Sequence, residues 1–214
     1  MRTRELSGID RLLGVVDNAL RTVAASDSSA SRPNPAANVE DTPLDDAERR
    51  HAAALMRINH AGEIAAQALY LGHAAVARDR DVAAHLREAA DEERDHLHWC
   101  EQRLAELGAA PSRLGPLWYA GAFAIGAASG VLGDRWSLGF VAETERQVAE
   151  HLRDHLDRLP AADRRSRAIV EKMHDEEAAH GRAAEQRGAV PLPGAVRRLM
   201  RASANVMKRT AYRV

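Results

Sequence analysis

Two short runs of the sequence carry side chains whose types and spacing suit a metal ion. Residues 91–96 read DEERDH and residues 175–180 read DEEAAH, so each run follows the pattern D-E-E-x-x-H. On a helix, residues three apart share one face with a rise of about 4.5 Å, which lets a carboxylate and an imidazole hold one ion. A single pair is weak evidence, because a third ExxH match occurs from Glu48 to His51. The residues around each of the three matches must therefore show which of them could bind a metal ion.

Both D-E-E-x-x-H runs lie inside apolar helical stripes. In residues 80–108 the stripe that contains Glu93 and His96 also contains Leu86, Ala89, Ala90, Leu97, Cys100, Leu104 and Leu107. In residues 162–187 the stripe that contains Glu177 and His180 also contains Ile169, Val170, Met173 and Ala184. A charge inside such a stripe is costly unless it is paired or bound to metal, and we expect no Arg or Lys on these stripes. The third match is instead expected to be a solvated helix start.

Two further predicted helices each carry one inward glutamate. A helix that starts near residues 44–47 and ends near residue 78 carries Glu63, and a helix over residues 134–159 carries Glu145. The order along the chain is therefore Glu, ExxH, Glu, ExxH. Glu63 precedes Glu93 by 30 residues and Glu145 precedes Glu177 by 32. This repetition predicts two matching helical hairpins joined by a long crossover.

Four glutamates and two histidines in this arrangement are the ligand set of a two-metal site in a four-helix bundle. Two divalent ions carry a charge of +4, which four carboxylates balance. Oxygen-rich ligation with one histidine per ion favours iron or manganese over zinc, and two Fe²⁺ ions about 3.5–4 Å apart suit activation of O₂. The predicted ligands of one ion are Glu63, Glu93 and His96, and those of the other are Glu145, Glu177 and His180. Glu93 and Glu177 are expected to bridge the two ions.

Residues beside the ligands are candidates for supporting them. A metal-bound imidazole commonly donates its outer N–H to a carboxylate, and the sequence does not choose among the available ones. His174, one turn before Glu177, and His151 are also candidates, although a structural role is the favoured interpretation for both. The supporting candidates are therefore Asp91, Glu92, His151, His174, Asp175 and Glu176.

The run N-H-A-G-E at residues 59–63, together with the two ExxH pairs and Glu145, resembles the demethoxyubiquinone hydroxylases of ubiquinone biosynthesis. The resemblance spans roughly residues 50–214. It implies a ferritin-like bundle in which the six ligand positions bind two irons. It also implies insertion of one oxygen atom from O₂ into the ring of a demethoxy-polyprenyl-quinol. Some members carry a His-Tyr pair where this chain has His151 and Leu152, so the leucine departs from that pattern.

Composition favours an all-α protein, because aromatic residues make up only 4% and β-branched runs are scarce. The formal net charge of −1 gives no argument for a nucleic-acid partner. Cys100 is the single cysteine, which excludes an internal disulfide and suits a reducing compartment. No signal peptide is expected at the N-terminus.

The remaining segments suggest contact with a membrane. Residues 114–133 form the longest uncharged run, which we expect to be a crossover helix either buried in the bundle or dipped into a bilayer surface. Its Gly126-x-x-x-Gly130 pattern fits close helix packing. The basic amphipathic residues 195–213 suit anionic lipid headgroups or a solvated helix. Residues 1–43 are predicted to comprise an amphipathic helix over 5–25 and a flexible linker, and residues 44–214 the di-iron domain.

The sequence thus predicts a di-iron mono-oxygenase bound peripherally to the cytoplasmic side of the cell membrane. Its expected partners are a polyprenyl quinol, the membrane surface and proteins of a ubiquinone-synthesis complex, with two iron ions as cofactor and O₂ as co-substrate. A ferritin-like iron store is one alternative, and it predicts cage-sized assemblies. A di-iron hydroxylase of a modified tRNA base is another, and it predicts RNA binding by the basic tail. The uncharged run counts against both, since neither needs lipid.

Overall fold

The computed structural model describes Thr22 and residues 30–214, and this part of the chain contains helices but no strand. The all-α prediction is therefore confirmed. The helices are α1 (Asp46–Val76), α2 (Arg80–Glu106), α3 (Gly115–Gly130), α4 (Asp134–Arg158), α5 (Arg164–Gln186) and α6 (Gly194–Ala211).

Local signals place the helix ends close to the predicted positions. Asp45 caps α1 by accepting from the backbone N–H of Glu48, whose side chain accepts in return from the N–H of Asp45. The third ExxH match is thus a capping box at a helix start, as predicted. Gly108 and Gly188, with φ of 68° and 94°, follow α2 and α5 and adopt the left-handed conformation that commonly ends a helix.

Four of the helices form the bundle. The hairpin of α1 and α2 packs against the hairpin of α4 and α5, with α1 contacting α4 and α2 contacting α5. Two apolar clusters fill the interior. One is built around Met56, Trp99, Leu152 and Met173, and the other around Tyr70, Leu86, Leu138 and Ala184. On every bundle helix the predicted ligand position lies between these two clusters, so the site occupies the middle of the bundle.

The crossover helix α3 lies on the outside of the bundle, mainly against α1. The two helices approach closely, because a Cβ on Gly126 would lie 2.3 Å from the carbonyl oxygen of Leu69 and one on Gly72 would lie 2.4 Å from that of Phe123. Apolar side chains such as Leu117 and Ile125 face outward. Burial of this helix inside the bundle, one of the two expectations, is therefore wrong. In the described part of the chain, none of the helices combines the length and hydropathy needed to cross a membrane.

One buried cation departs from the sequence prediction. Arg103 lies on the apolar stripe of α2 and is almost fully buried, although no Arg or Lys was expected there. It is tolerated because it is paired: Nη2 donates to Asp163 at 2.8 Å and Nε donates to Ser166 at 2.9 Å. Arg103 makes no ion pair with the ligand glutamates and ties α2 to the start of α5.

The segment before α1 packs against the bundle where it is described. Residues 30–41 form no helix, yet Ala36 is buried in the cluster around Trp99 and Asn34 donates to Gln102 at 2.6 Å. The helix predicted over residues 5–25 lies outside the described residues, apart from Thr22, whose hydroxyl donates to Gln67. The predicted C-terminal helix is confirmed as α6, which lies against α1 and α4 with most of its surface exposed.

Candidate metal centre

The four bundle helices bring all six predicted ligands to one place. Within the described residues two groups of side chains have oxygen and nitrogen atoms within 4.8 Å of one another. Glu93 and Glu177 belong to both groups, which matches the expected bridging positions. The first group adds Glu63 and His96, and the second adds Glu145 and His180.

Both histidines point the same ring nitrogen into the centre. His96 Nδ1 lies 3.0 Å from Glu93 and 3.2 Å from Glu177, with Glu63 at 3.6 Å. His180 Nδ1 lies 3.4 Å from Glu93 and 3.6 Å from Glu177. The two halves are therefore related by an approximate twofold arrangement of the hairpins, as the sequence repeat suggests.

The outer nitrogens of the histidines are held crosswise between the hairpins. His96 Nε2 lies 2.7 Å from Glu176 on α5, and His180 Nε2 lies 2.6 Å from Glu92 on α2. Each D-E-E-x-x-H run thus supplies, through its first glutamate, the carboxylate that orients the histidine of the other run. Of the acidic candidates, these two occupy positions that fix the histidine rings.

The structure does not bring the other four supporting candidates to the ligand histidines. The Asp91 carboxylate is exposed and pairs with Arg94, one turn along the outer face of α2. Asp175 is also exposed and lies beside His174, whose second nitrogen faces Arg153. His151 packs edge-on against the ring of His155, with 3.9 Å between centroids.

Sequence reasoning missed two residues that contact Glu176. Arg32 donates from Nη1 to Glu176 at 2.6 Å and from Nε to Asp95 at 2.6 Å. Lys172 reaches the same Glu176 at 2.8 Å. Lys172 precedes Glu176 by four residues, a spacing that could have suggested the pair. Arg32 lies in an irregular segment, so no periodicity could have indicated its contact.

Burial and hydrogen bonds together set the protonation of the centre when no metal is present. Burial, reinforced by the charge of Glu177, raises the pKa of Glu145 well above its ordinary value, and burial also raises the pKa of Glu63. Burial opposes the charge on His180, but hydrogen bonds to Glu177 and Glu93 raise its pKa to about 12. Hydrogen bonds likewise overcome burial to raise the pKa of His96 and lower that of Glu177. Protons then supply the positive charge that balances the carboxylates.

This donor set fits two divalent ions that prefer oxygen. Four glutamates with at most 2% exposure meet in one site, a grouping that is costly without bound cations. No N–H or O–H group of another described residue donates to either oxygen of Glu145, and a proton there would be shared with Glu177. The described residues near the centre offer no thiolate, since Cys100 lies apart from both groups. Carboxylate-rich ligation with one imidazole per ion suits iron or manganese.

An all-helical bundle with a buried centre of four glutamates and two histidines defines the ferritin-like class of carboxylate proteins. Residues 50–211 match the family model described as Ubiquinone biosynthesis protein COQ7. The chain belongs to this family.

Curated relatives cover nearly the whole chain. A protein of Ralstonia pickettii (strain 12J) is 56% identical over an alignment that covers 96% of this chain and 100% of the relative. One of Xanthomonas euvesicatoria pv. vesicatoria is 55% identical over 99% of this chain and 97% of its own length. One of Nitrosococcus oceani is 50% identical over 99% of both. All three are named 3-demethoxyubiquinol 3-hydroxylase.

Proposed function

We propose that this protein is a di-iron mono-oxygenase that hydroxylates the ring of a demethoxy-polyprenyl-quinol in ubiquinone biosynthesis. The observation that carries the proposal is the meeting of Glu63, Glu93, His96, Glu145, Glu177 and His180 in one buried centre. The name shared by relatives at 50–56% identity supports the same substrate and reaction.

The proposed reaction replaces one ring C–H bond with C–OH. One atom of O₂ enters the ring and the other leaves as water, so two electrons and two protons must come from an external reductant. When bound, two Fe²⁺ ions supply the electrons and the open positions with which O₂ is activated.

The chain's own residues hold and isolate the site. Glu63 and Glu145 would each serve one ion, whereas Glu93 and Glu177 would serve both. Glu92 and Glu176 fix the rings of the two histidines, so that Nδ1 faces the centre. The apolar clusters on either side exclude water from the middle of the bundle, which strengthens the electrostatic interactions there.

We further propose that the protein docks peripherally on the cytoplasmic side of the cell membrane, where a polyprenyl quinol would reside. Exposed apolar side chains support this: Leu117 on α3, Val131 directly after it, and Leu199 and Val206 on α6. α6 also carries Arg197, Arg198, Arg201, Lys208 and Arg209, which suit anionic headgroups. Proteins of a ubiquinone-synthesis complex are the other expected partners.

The test is product formation by the iron-loaded chain. Purified protein is loaded with Fe²⁺ without oxygen, the bound iron is counted, and a demethoxyquinol analogue, a chemical reductant and O₂ are then added. We expect two irons per chain and a product heavier by one oxygen atom, which carries ¹⁸O when ¹⁸O₂ is supplied. Two bound irons without any hydroxylated product would contradict the proposed reaction.

A further inference from the structure

The two halves of the centre share their inner ligands but differ in what holds their outer carboxylates. Glu176, which orients His96, has a side chain only 16% exposed and contacts both Arg32 and Lys172. Glu92, which orients His180, is 50% exposed, and no lysine or arginine among residues 30–214 forms an ion pair with its side chain. The approximate twofold symmetry therefore includes the histidines and the carboxylates that orient them, but not the groups that hold those carboxylates.

Arg32 is fixed from several directions. Its guanidinium bridges Asp95 and Glu176, and it lies over the ring of Trp99 with 5.1 Å to the centroid. Asp95 is itself held by the backbone N–H of Ser31 at 2.7 Å. Because two carboxylates of different helices share one planar guanidinium, Arg32 fixes the position of Glu176 relative to α2.

Trp99 links Arg32 to the histidine, because its ring centroid also lies 5.3 Å from that of His96. Residues 31 and 32 therefore cover the His96 half of the centre from outside. The other half is more open. The side chain of His180 is 13% exposed whereas that of His96 is fully buried, and a groove of about 410 Å³ between α4 and α5 reaches Glu177.

We propose that Arg32 is a positioning residue of the metal centre, and that it makes the His96 position the tighter of two unequal metal positions. The chain of contacts runs from Arg32 through Glu176 to the Nε2 atom of His96. Held in this way, the imidazole keeps Nδ1 aimed at the ion and loses little conformational freedom on binding. The inference rests on the metal binding in the proposed function and is independent of the hydroxylation.

The test measures each metal position separately with Mn²⁺ alone, counting the free ion by its EPR signal. His180→Ala keeps every ligand proposed for the His96 position, and His96→Ala keeps every ligand proposed for the His180 position. Outer partners of ligand histidines typically contribute 10–100-fold to affinity. Arg32 acts through such a partner, Glu176, so we expect Arg32→Gln to weaken binding by the lower end of that range, about tenfold, in the His180→Ala background. In the His96→Ala background the change should stay below about twofold.

Two matched variants accompany Arg32→Gln. Arg94→Gln removes an arginine of α2 whose ion pair is with exposed Asp91, and it should change neither position. Arg32→Lys keeps the charge but cannot bridge Asp95 and Glu176 with a planar fork, so it should restore only part of the affinity. Circular dichroism and thermal melting of the metal-free variants show whether the fold is intact.

Should the single-histidine backgrounds fail to fold, stepwise Mn²⁺ titration of the chain with both histidines replaces them. The unsubstituted chain should then show a tight and a weaker class of site, and Arg32→Gln should weaken the tight class alone. Equal losses at both positions, or no loss, would overturn the role of Arg32 while leaving the metal centre standing. Absence of Mn²⁺ and Fe²⁺ binding by the unsubstituted chain would overturn the metal centre and this inference together.

Discussion

Glu93 and Glu177 each lie within 3.6 Å of both histidines of the centre. Glu63 belongs only to the His96 half, and Glu145 only to the His180 half. The four carboxylates are therefore unequal in what their removal would cost. In the proposed centre a shared carboxylate would serve two ions, and its loss would leave both with an incomplete ligand set.

Substitution of one glutamate at a time should reveal this difference. We expect Glu177→Ala to lose both irons and Glu145→Ala to retain one at reduced affinity. Glu48→Ala, at the capping box of α1, is the control and should retain both. Iron counted per chain after anaerobic loading and desalting checks the series. Equal loss in Glu177→Ala and Glu48→Ala would refute the assignment.

At the scale of elements, the junction of α1, α3 and α4 contains an unusual histidine. His73 is fully buried, neither ring nitrogen has a hydrogen-bond partner among the described residues, and its ring packs on Phe140. Burial lowers the pKa of His73 to about 4 from an ordinary value of 6.5. The folded chain therefore keeps this ring neutral where the unfolded chain protonates it.

This difference predicts acid sensitivity. Above pH 6.5 both states are neutral at His73 and no stability is lost. As the pH falls from 6.5 towards 4 the unfolded state gains the proton, so stability decreases by up to about 1.4 kcal/mol per pH unit. His73→Phe should flatten the dependence of urea unfolding on pH within that window, measured on metal-free protein with chelator. His151 and His155, whose pKa values burial also lowers, should contribute to the slope that remains.

The contact between α1 and α3 supplies another prediction. A methyl group on Gly126 would meet the Leu69 backbone at 2.3 Å, so Gly126→Ala should destabilise the fold by about 1–3 kcal/mol. Gly121, on the same helix, has open space at its Cβ position, and Gly121→Ala should stabilise the chain by up to about 1 kcal/mol. Urea unfolding of the two variants checks the contrast. Similar changes in both would mean that close packing does not decide the stability of this contact.

Much of the element scale could be predicted from sequence. The stripes of α2 and α5 repeat with helical period and end at Gly108 and Gly188, so their bounds and their inward glutamates follow from local spacing. The crosswise outer contacts did not follow, because they depend on how far α2 is shifted along α5, and sequence spacing within either helix does not contain that distance. The position of α3 could not be predicted either. An apolar run indicates that a helix is shielded from water, but it does not indicate which helix or lipid surface it packs against.

At the scale of the whole molecule, the proposed membrane contact is based on the exposed apolar side chains of α3 and α6 and on the basic side chains of α6. We expect the chain to float with phosphatidylcholine vesicles that contain phosphatidylglycerol. Removing two charges by Arg198→Gln with Arg209→Gln should weaken binding to those vesicles roughly thirtyfold, at about 1 kcal/mol per charge.

Apolar substitution should give a different pattern in the same flotation assay. Leu199→Ser with Val206→Ser removes two side chains that are 68% and 60% exposed, and should weaken binding to vesicles with and without the anionic lipid. Unchanged flotation in both double variants would exclude α6 from the membrane contact.

The crosswise pairs Glu92 with His180 and Glu176 with His96 have a consequence for assembly of the chain. Neither helical hairpin contains a complete half-site, because each histidine depends on a carboxylate of the opposite hairpin. Metal would therefore hold together two helical hairpins that are far apart along the sequence. Two fragments divided at the turn between α3 and α4 should reassociate better with metal than without it. Chelation of the metal should first weaken the contact between the two hairpins.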